Sequence, residues 1–229
     1  MAVERNLLIS ILKLTKTGSV QRELVSRDAR VPVQVADEML KKLSDTGLIR
    51  YRDRLIDVSL NQRVRMAVRA VELGADPERV CGVLEWNEFE EIAARAFEVN
   101  DFMVKRRFRF KWAGRRWEVD VLGCKEPLVA CVDCKHWHRG WRRSAIMKVV
   151  EAQVERTQAL AEAFPRLHEK VGLTNWKKVV LVPMVLSLFP SPFKFYNNVP
   201  IVAILQLRSF LNDLPAHVIS LTRFSARIP

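Results

Sequence analysis

The sequence has no long uninterrupted apolar run, although 49% of its 229 residues are hydrophobic. A membrane-spanning helix needs about 18 or more consecutive apolar residues. The longest run here, residues 179–192, contains Pro183, Pro190 and Pro192, which suits a strand followed by a loop. The first ten residues also lack the small-residue cleavage site of a secretory signal peptide. We therefore expect an intracellular, cytoplasmic protein associated with the nucleoid rather than with a membrane.

Cysteine is scarce as well, with four residues in the chain. Cys131 and Cys134 have the spacing of a zinc site, and His136 and His138 follow them closely. In a strand, however, positions i and i+3 face opposite sides, and this segment has no Gly or Pro to form a turn. Buried, reduced cysteines are therefore favoured. A zinc-binding nucleic-acid module remains an alternative.

Positive charge is what the sequence has in excess. The net charge is +12, and most of the excess lies between residues 101 and 178. A basic surface attracts the phosphate backbone of nucleic acids. A basic but inert surface is the alternative, and concentration of the charge around a group of acidic residues argues against it.

Those acidic residues lie in a predicted strand pair, residues 115–122 and 128–135, joined by a turn at 123–127. Alternation along a strand places Asp133 and Lys135 on one face. Asp120 can lie beside them if the two strands pair as a hairpin. Paired carboxylates form a hard-oxygen site that suits Mg²⁺ or Mn²⁺. An ordinary Asp–Lys pair at the end of a strand is the alternative interpretation.

In this order the motifs resemble those of the PD-(D/E)XK nucleases, which have the restriction-endonuclease-like fold. Asp120 matches the first acid of that pattern, Asp133 the second and Lys135 the lysine. Val119 stands where the family nominally has proline, and Asp133 where Glu is usual. The arrangement is most similar to Mrr-type restriction nucleases and archaeal Holliday-junction resolvases. It implies an α/β fold for residues 85–229, with a mixed sheet flanked by helices.

The resemblance also implies further site residues. A helical glutamate that reaches the metal matches Glu90, with Glu88 and Glu91 as rivals. A later helix carries Gln153 as a catalytic candidate. The metal, Mg²⁺ or Mn²⁺, is expected on Asp120, Asp133, Glu90 and the backbone carbonyl of Cys134.

The first 60 residues resemble a winged helix-turn-helix domain. Periodic apolar residues predict helices that start near residues 3, 20 and 32, and a short hairpin follows at 48–58. Residues 61–84 are predicted to be a helical connector. In a winged helix the third helix enters the major groove and the wing touches the backbone. The alternative use of such a domain is protein contact.

Candidate DNA contacts are polar and basic residues in four places. These are the third helix, the wing, the first strand of the larger domain and the loop after Lys135. The residues are Gln34, Lys41, Lys42, Arg50, Arg52, Arg54, Arg107, Arg109, Lys111, Arg115, Arg139, Arg142 and Arg143.

Together these features predict a metal-dependent DNA endonuclease that acts on double-stranded or branched DNA. A homodimer is the expected assembly, because cutting both strands needs two sites. The alternative is a DNA-binding regulator whose nuclease-like domain is inactive.

Overall fold

A computed structural model describes the chain except for residues 1, 77–78, 81, 136–142 and 229, and the side chains at 86 and 87. The described residues up to Phe89 form one compact unit, and those from Glu90 onward form another.

The first unit contains helices and a small sheet whose described strands lie in the order β1-β3-β2. The helices are α1 (Ala2–Leu14), α2 (Arg22–Ala29), α3 (Val33–Asp45) and α4 (Leu60–Glu72), and the strands are β1 (Val20–Gln21), β2 (Arg50–Arg52) and β3 (Leu55–Asp57). The predicted helices and hairpin are confirmed within a few residues. Asp53 and Arg54, both with positive φ, form the two-residue turn of the hairpin. The use of this unit as a DNA-binding winged helix stays a prediction.

The predicted connector contains α4, which begins at a capping box. The Ser59 side chain accepts from the Gln62 backbone N–H, and the Gln62 side chain accepts from the Ser59 backbone N–H. The helix packs against α1 within the first unit. Arg63 is buried at this contact, where it donates to the Leu12 carbonyl and pairs with Glu88 at 2.5 Å. Pairing offsets the cost of burying the guanidinium.

The second unit is a mixed α/β structure. Its elements are α5 (Trp86–Val99), which begins in the first unit, β4 (Met103–Trp112), β5 (Arg115–Lys125), β6 (Leu128–Lys135), α6 (Arg143–Val171), β7 (Lys178–Ser187), β8 (Phe195–Tyr196), β9 (Val199–Ala203), α7 (Leu207–His217) and β10 (Phe224–Arg227), with single 3₁₀ turns at Ile204–Gln206 and Val218–Ser220.

The described strands of this unit form a seven-stranded sheet in the order β4-β5-β6-β7-β9-β8, with β10 pairing with one end of β7. Strands β4, β5 and β6 pair antiparallel, whereas β6, β7 and β9 pair parallel. The parallel step from β6 to β7 requires a crossover, which the α6 segment provides. The predicted fold class is confirmed as α/β, with a mixed sheet flanked by helices.

Helix α6 is longer than the sequence suggests. The apolar period in the sequence predicts a helix over Ile146–Phe164. The next residue is Pro165, which removes one helix hydrogen bond. The helix instead continues through Pro165 to Val171. Its last turns pack Leu167 and Val171 into the core formed with β4–β7, and this burial outweighs the lost bond.

The turn predicted at 123–127 is wrong in its first half. Strand β5 extends to Lys125, so that Gly123 and Cys124 pair with Ala130 and Val129 of β6. Gly123 is a strand residue because the Phe97 ring of α5 lies directly on it. A Cβ at this position would be 2.2 Å from Phe97 Cδ1.

Gly123→Ala is therefore expected to lower the free energy of unfolding by about 1–3 kcal/mol, the usual cost of overpacking a core. Urea denaturation measures the change. Phe97→Leu combined with Gly123→Ala should recover part of the loss, because the smaller side chain makes room. Additive losses in the double variant would mean that the two residues do not compete for this space.

Within the described part of the chain, no helix combines the length and the apolar character needed to cross a membrane.

Candidate functional site

The two aspartates lie where the β5–β6 ladder ends. Its register runs from Lys125↔Leu128 to Val121↔Val132, so Asp120 and Asp133 are the next facing positions. Beyond that point the Asp120 carboxylate accepts the backbone N–H of Cys134 at 2.8 Å. A side chain thus replaces a strand–strand hydrogen bond. The predicted hairpin brings Asp120 beside the D-x-K segment.

The ladder on the other side of Asp120 is also interrupted. Strands β4 and β5 pair at Arg106↔Val121 and at Phe108↔Val119, but Arg107, which lies between them opposite Asp120, has φ of 48°. Non-glycine residues rarely adopt this conformation, and such outliers cluster at functional sites. The backbone around Asp120 is therefore irregular on both sides.

Asp133 is the more deeply buried of the two carboxylates, at 3% exposure. Its Oδ2 lies 2.9 Å from Lys135 Nζ, and its Oδ1 lies 2.9 Å from a guanidinium nitrogen of Arg156. The contact between Asp133 and Lys135 agrees with the prediction that the two side chains lie on one face of the strand. The ammonium is close enough for an ion pair but lies outside hydrogen-bond geometry, so Oδ2 has no hydrogen-bond partner among the described residues. A buried carboxylate oxygen that is held by an ion pair alone can accept a further partner such as a water molecule or a metal ion.

Arg156 is a site residue that the sequence analysis missed. It lies one turn after Gln153 on α6 and also donates to the Gln153 side-chain oxygen. Gln153 is fully buried and donates to the Cys131 carbonyl of β6 at 2.6 Å. The i, i+3 spacing of Gln153 and Arg156 on one helix face was the available signal. Gln153 thus fixes the position of α6 and Arg156 next to Asp133, and its catalytic role stays a prediction.

Glu90 is the acidic residue of α5 whose charge acts on Asp120. It is buried and pairs with Arg107 Nε at 2.9 Å. The rival residues are engaged in other contacts. Glu88 pairs with Arg63, and Glu91 pairs with Arg95 and Arg106.

Burial dominates the electrostatics of Asp120 and raises its pKa to about 6 from an ordinary value near 3.8. The neighbouring charges of Asp133 and Glu90 raise this pKa further. The Cys134 N–H and the Lys135 ammonium act in the opposite direction. A carboxyl that resists ionisation in the free protein is typical of a site that a cation completes.

This pKa predicts a pH-dependent cost of folding. Between about pH 4 and pH 6 the folded chain keeps a proton on Asp120 that the unfolded chain has released, so the free energy of unfolding falls as pH rises through this window. Asp120→Asn removes the ionisation and keeps an acceptor for Cys134. Above pH 6 the variant should be more stable than the wild type by up to roughly 3 kcal/mol.

Urea denaturation across this pH range in EDTA measures the effect. The difference in stability should shrink toward pH 4 and vanish near pH 3, below both pKa values, where the unfolded wild type is also protonated at this position. Parallel stability curves for the two chains would contradict the raised pKa.

Within the described residues, Cys131 and Cys134 are not arranged as a pair of zinc ligands. Cys131 and Cys134 lie in an extended strand, three residues apart, so their thiols face opposite sides. Both are buried and free, and burial raises the pKa of each thiol, which disfavours the thiolate that zinc binds. Cys81, His136 and His138 lie outside the described residues.

The donor set where the β5–β6 ladder ends fits a hard divalent cation. Two carboxylates lie on adjacent strands, and the buried Asp133 Oδ2 lacks a hydrogen-bond partner. Such oxygen donors suit Mg²⁺ or Mn²⁺. Across the described residues no three acidic, His or Cys side chains are already gathered as a metal cluster. Glu90 and the Cys134 carbonyl stay predictions as ligands.

Many of the predicted DNA contacts form ion pairs within the protein. Arg107 pairs with Glu90, Arg109 with Glu118, Arg115 with Glu155, Arg50 with Asp57 and Lys41 with Asp37. The remaining described candidates are exposed and form no ion pair in the part of the chain that the structure covers: Gln34, Lys42, Arg52, Arg54, Lys111 and Arg143. Arg139 and Arg142 lie outside the described residues.

Comparison with known proteins gives limited information. No family model matches the chain. It is 29% identical over 131 residues to a protein of Archaeoglobus fulgidus described only as uncharacterized, and the match covers 57% of this chain and 92% of that protein.

Similar solved structures include VC1899 from Vibrio cholerae, with 11% identity, a TM-score of 0.34 and coverage of 96% of this chain and 51% of that one. They also include the restriction endonuclease FokI, with 14% identity, a TM-score of 0.37 and coverage of 96% and 44%. FokI bound to DNA matches with 16% identity, a TM-score of 0.33 and coverage of 96% and 45%. The chain spans about half the length of these proteins, and similarity this low carries no argument about function.

Proposed function

We propose that this protein is a metal-dependent DNA endonuclease that hydrolyses phosphodiester bonds, either at junctions or flaps or in the manner of a restriction enzyme. One observation carries the proposal. Asp133, nearly fully buried, has an oxygen without a hydrogen-bond partner, next to Lys135 and across the strand pair from Asp120. Lys135 contacts this oxygen through an ion pair only, so the oxygen can also accept a metal ion.

Asp120 and Asp133 would hold Mg²⁺ or Mn²⁺, with Glu90 and the Cys134 carbonyl as further ligands. The bound metal would polarise the phosphate and lower the pKa of a water molecule. Other groups of the protein hold the two carboxylates in position. The Cys134 N–H holds Asp120 at 2.8 Å, and Arg156 holds the far oxygen of Asp133 at 2.9 Å. Each carboxylate therefore has one oxygen fixed by the protein.

Lys135 would stabilise the charge that develops on the phosphate or would orient the attacking water. It is about one-third exposed, so its ammonium is held near Asp133 and is still accessible to a substrate. Arg156 is less exposed and contacts Gln153 as well as Asp133, which favours a positioning role for it.

The DNA-binding part of the proposal rests on charge. The basic residues of the α3 helix, the β2–β3 hairpin and strand β4 would contact backbone phosphates. Those that already pair with carboxylates would exchange these partners for phosphate oxygens. A homodimer would supply the second active site needed for a double-strand cut.

A regulator with an inactive nuclease-like domain is the second candidate, and the charge balance of the site favours it. Asp133 is neutralised by two cations and Glu90 by Arg107, so the site is compensated without a metal. Such a domain would bind DNA and leave it intact.

A cleavage assay separates the two candidates. Labelled linear, flap and four-way-junction DNA are incubated with Mg²⁺, Mn²⁺ or EDTA and resolved on a denaturing gel. The nuclease predicts metal-dependent cleavage of at least one substrate, and the regulator predicts binding without cleavage. Asp120→Asn protein purified in the same way reports contaminating nuclease. Cleavage that persists in EDTA would contradict the proposal.

A further inference from the structure

A second basic site lies away from the aspartates, at the β4–β5 hairpin. A cleft of about 470 Å³ is lined by residues 109–111 of β4, residues 116–118 of β5 and Lys170 near the end of α6. Arg116 and Asp120 are four residues apart on β5, which corresponds to about 13 Å along a strand. The cleft is therefore separate from the carboxylates of the proposed metal site.

Two cations face each other in this cleft. Lys111 and Arg116 are directly opposite in the β4–β5 register, and both are exposed. Neither has an ion pair or a hydrogen bond from its side chain to any residue that the structure describes. Like charges at facing positions destabilise a strand pair, and a bound anion would remove that repulsion.

The surroundings of this pair are also fixed and basic. Lys170 donates to the Arg109 carbonyl at 2.6 Å, which holds its ammonium at the cleft. Glu118, the one carboxylate among the described lining residues, is bound to Arg109 at 2.7 Å. The lining thus keeps a net excess of three positive charges after that pair is counted.

Phe110 and Trp117 also line the cleft, from the face of the strand pair opposite to Lys111 and Arg116. Trp117 stacks on Phe110 with an interplanar angle of 15°, and the guanidinium of Arg115 lies 3.9 Å from the centroid of the Trp117 ring system. The indole N–H of Trp117 is buried and has no acceptor among the described residues. This aromatic packing holds the two strands together and so fixes the spacing of Lys111 and Arg116.

We propose that this cleft binds a phosphate group of the nucleic-acid backbone, outside the point of cleavage. The inference rests on the proposed function in that nucleic acid is the substrate. Phosphates of one DNA strand are spaced by about 3.4 Å along the helix axis, so about 13 Å corresponds to roughly four nucleotides. The cleft would therefore anchor the substrate and set its register, and would contribute to affinity rather than to the chemical step.

The test is the salt dependence of DNA binding, measured by fluorescence anisotropy with a labelled duplex in EDTA. The variant is Lys111→Ala with Arg116→Ala. Its matched control is Lys177→Ala with Arg208→Ala, which removes the same charge from exposed positions outside the cleft and outside the proposed site. The cleft variant should flatten the slope of log affinity against log salt by about one unit, because one phosphate contact is lost. The control should keep the wild-type slope.

An unchanged slope in the cleft variant, or an equal change in the control, would overturn the inference. Calorimetric titration with inorganic phosphate distinguishes the source of the anion. Tight binding of free phosphate that the cleft variant abolishes, together with an unchanged DNA slope, would make the cleft a free-phosphate site. Because binding is measured without metal, the cleft is tested even if the protein does not cleave DNA. Failure of the nuclease proposal and failure of the cleft proposal are therefore distinguishable.

Discussion

Asp120→Asn is expected to abolish phosphodiester cleavage and to leave DNA affinity close to that of the wild type. The reason is that the proposal assigns metal binding to the carboxylates and DNA binding to the basic residues. Asp120 accepts one backbone N–H from Cys134 and lies outside the basic cleft, so in the proposed function its charge would hold the metal rather than contact the phosphate backbone. Single-turnover cleavage on a gel and anisotropy in EDTA measure the two effects separately.

Asp101→Asn is the matched control for this variant. The change is chemically the same, the side chain is 88% exposed, and asparagine tolerates the positive φ of this residue. Calorimetry with Mn²⁺ adds a readout that does not depend on activity. Metal binding should be weakened in Asp120→Asn and unchanged in Asp101→Asn. Cleavage by Asp120→Asn at the wild-type rate on every substrate would contradict the catalytic role assigned to Asp120.

Lys135→Ala is expected to lower turnover by roughly 100-fold or more, the usual effect of losing one preorganised electrostatic donor. Its ammonium lies 2.9 Å from Asp133, next to the oxygen that lacks a hydrogen-bond partner. Affinity for DNA should change much less, because one phosphate contact among many is lost. Single-turnover kinetics with saturating enzyme separates the two quantities.

Lys135→Arg should fail to restore the rate, because a planar guanidinium does not replace a compact ammonium at a close site. Mn²⁺ binding should survive in both Lys135 variants, since lysine is not a ligand and Arg156 still pairs with Asp133. Lys177→Ala, at an exposed position away from the site, serves as the charge control. Wild-type turnover by Lys135→Ala would mean that the D-x-K match is accidental, and would favour the regulator.

Much of the α/β unit could be predicted from the sequence because its strands carry local signals. Strands β4 and β6 begin and end where alternation and the flanking turns place them. The D-x-K spacing brings Lys135 to Asp133 because residues two positions apart in a strand point to the same face of the sheet. Predictions from local patterns failed where tertiary packing outweighed local preference. Strand β5 continues through Gly123, which lies under the Phe97 ring, and helix α6 continues through Pro165.

The sequence alone determined the class of the sheet, the placement of Asp133 and Lys135 on one strand face, and the excess of positive charge, since all three follow from neighbours along the chain. Only the tertiary structure decided which charges meet. It brought Arg156 to Asp133 and Arg107 to Glu90, and it placed Lys111 opposite Arg116 in a cleft with Lys170. Except for Lys111 and Arg116, which face each other across one hairpin, these contacts join residues far apart in sequence. Their partners are fixed by strand register and helix packing, which no local pattern encodes.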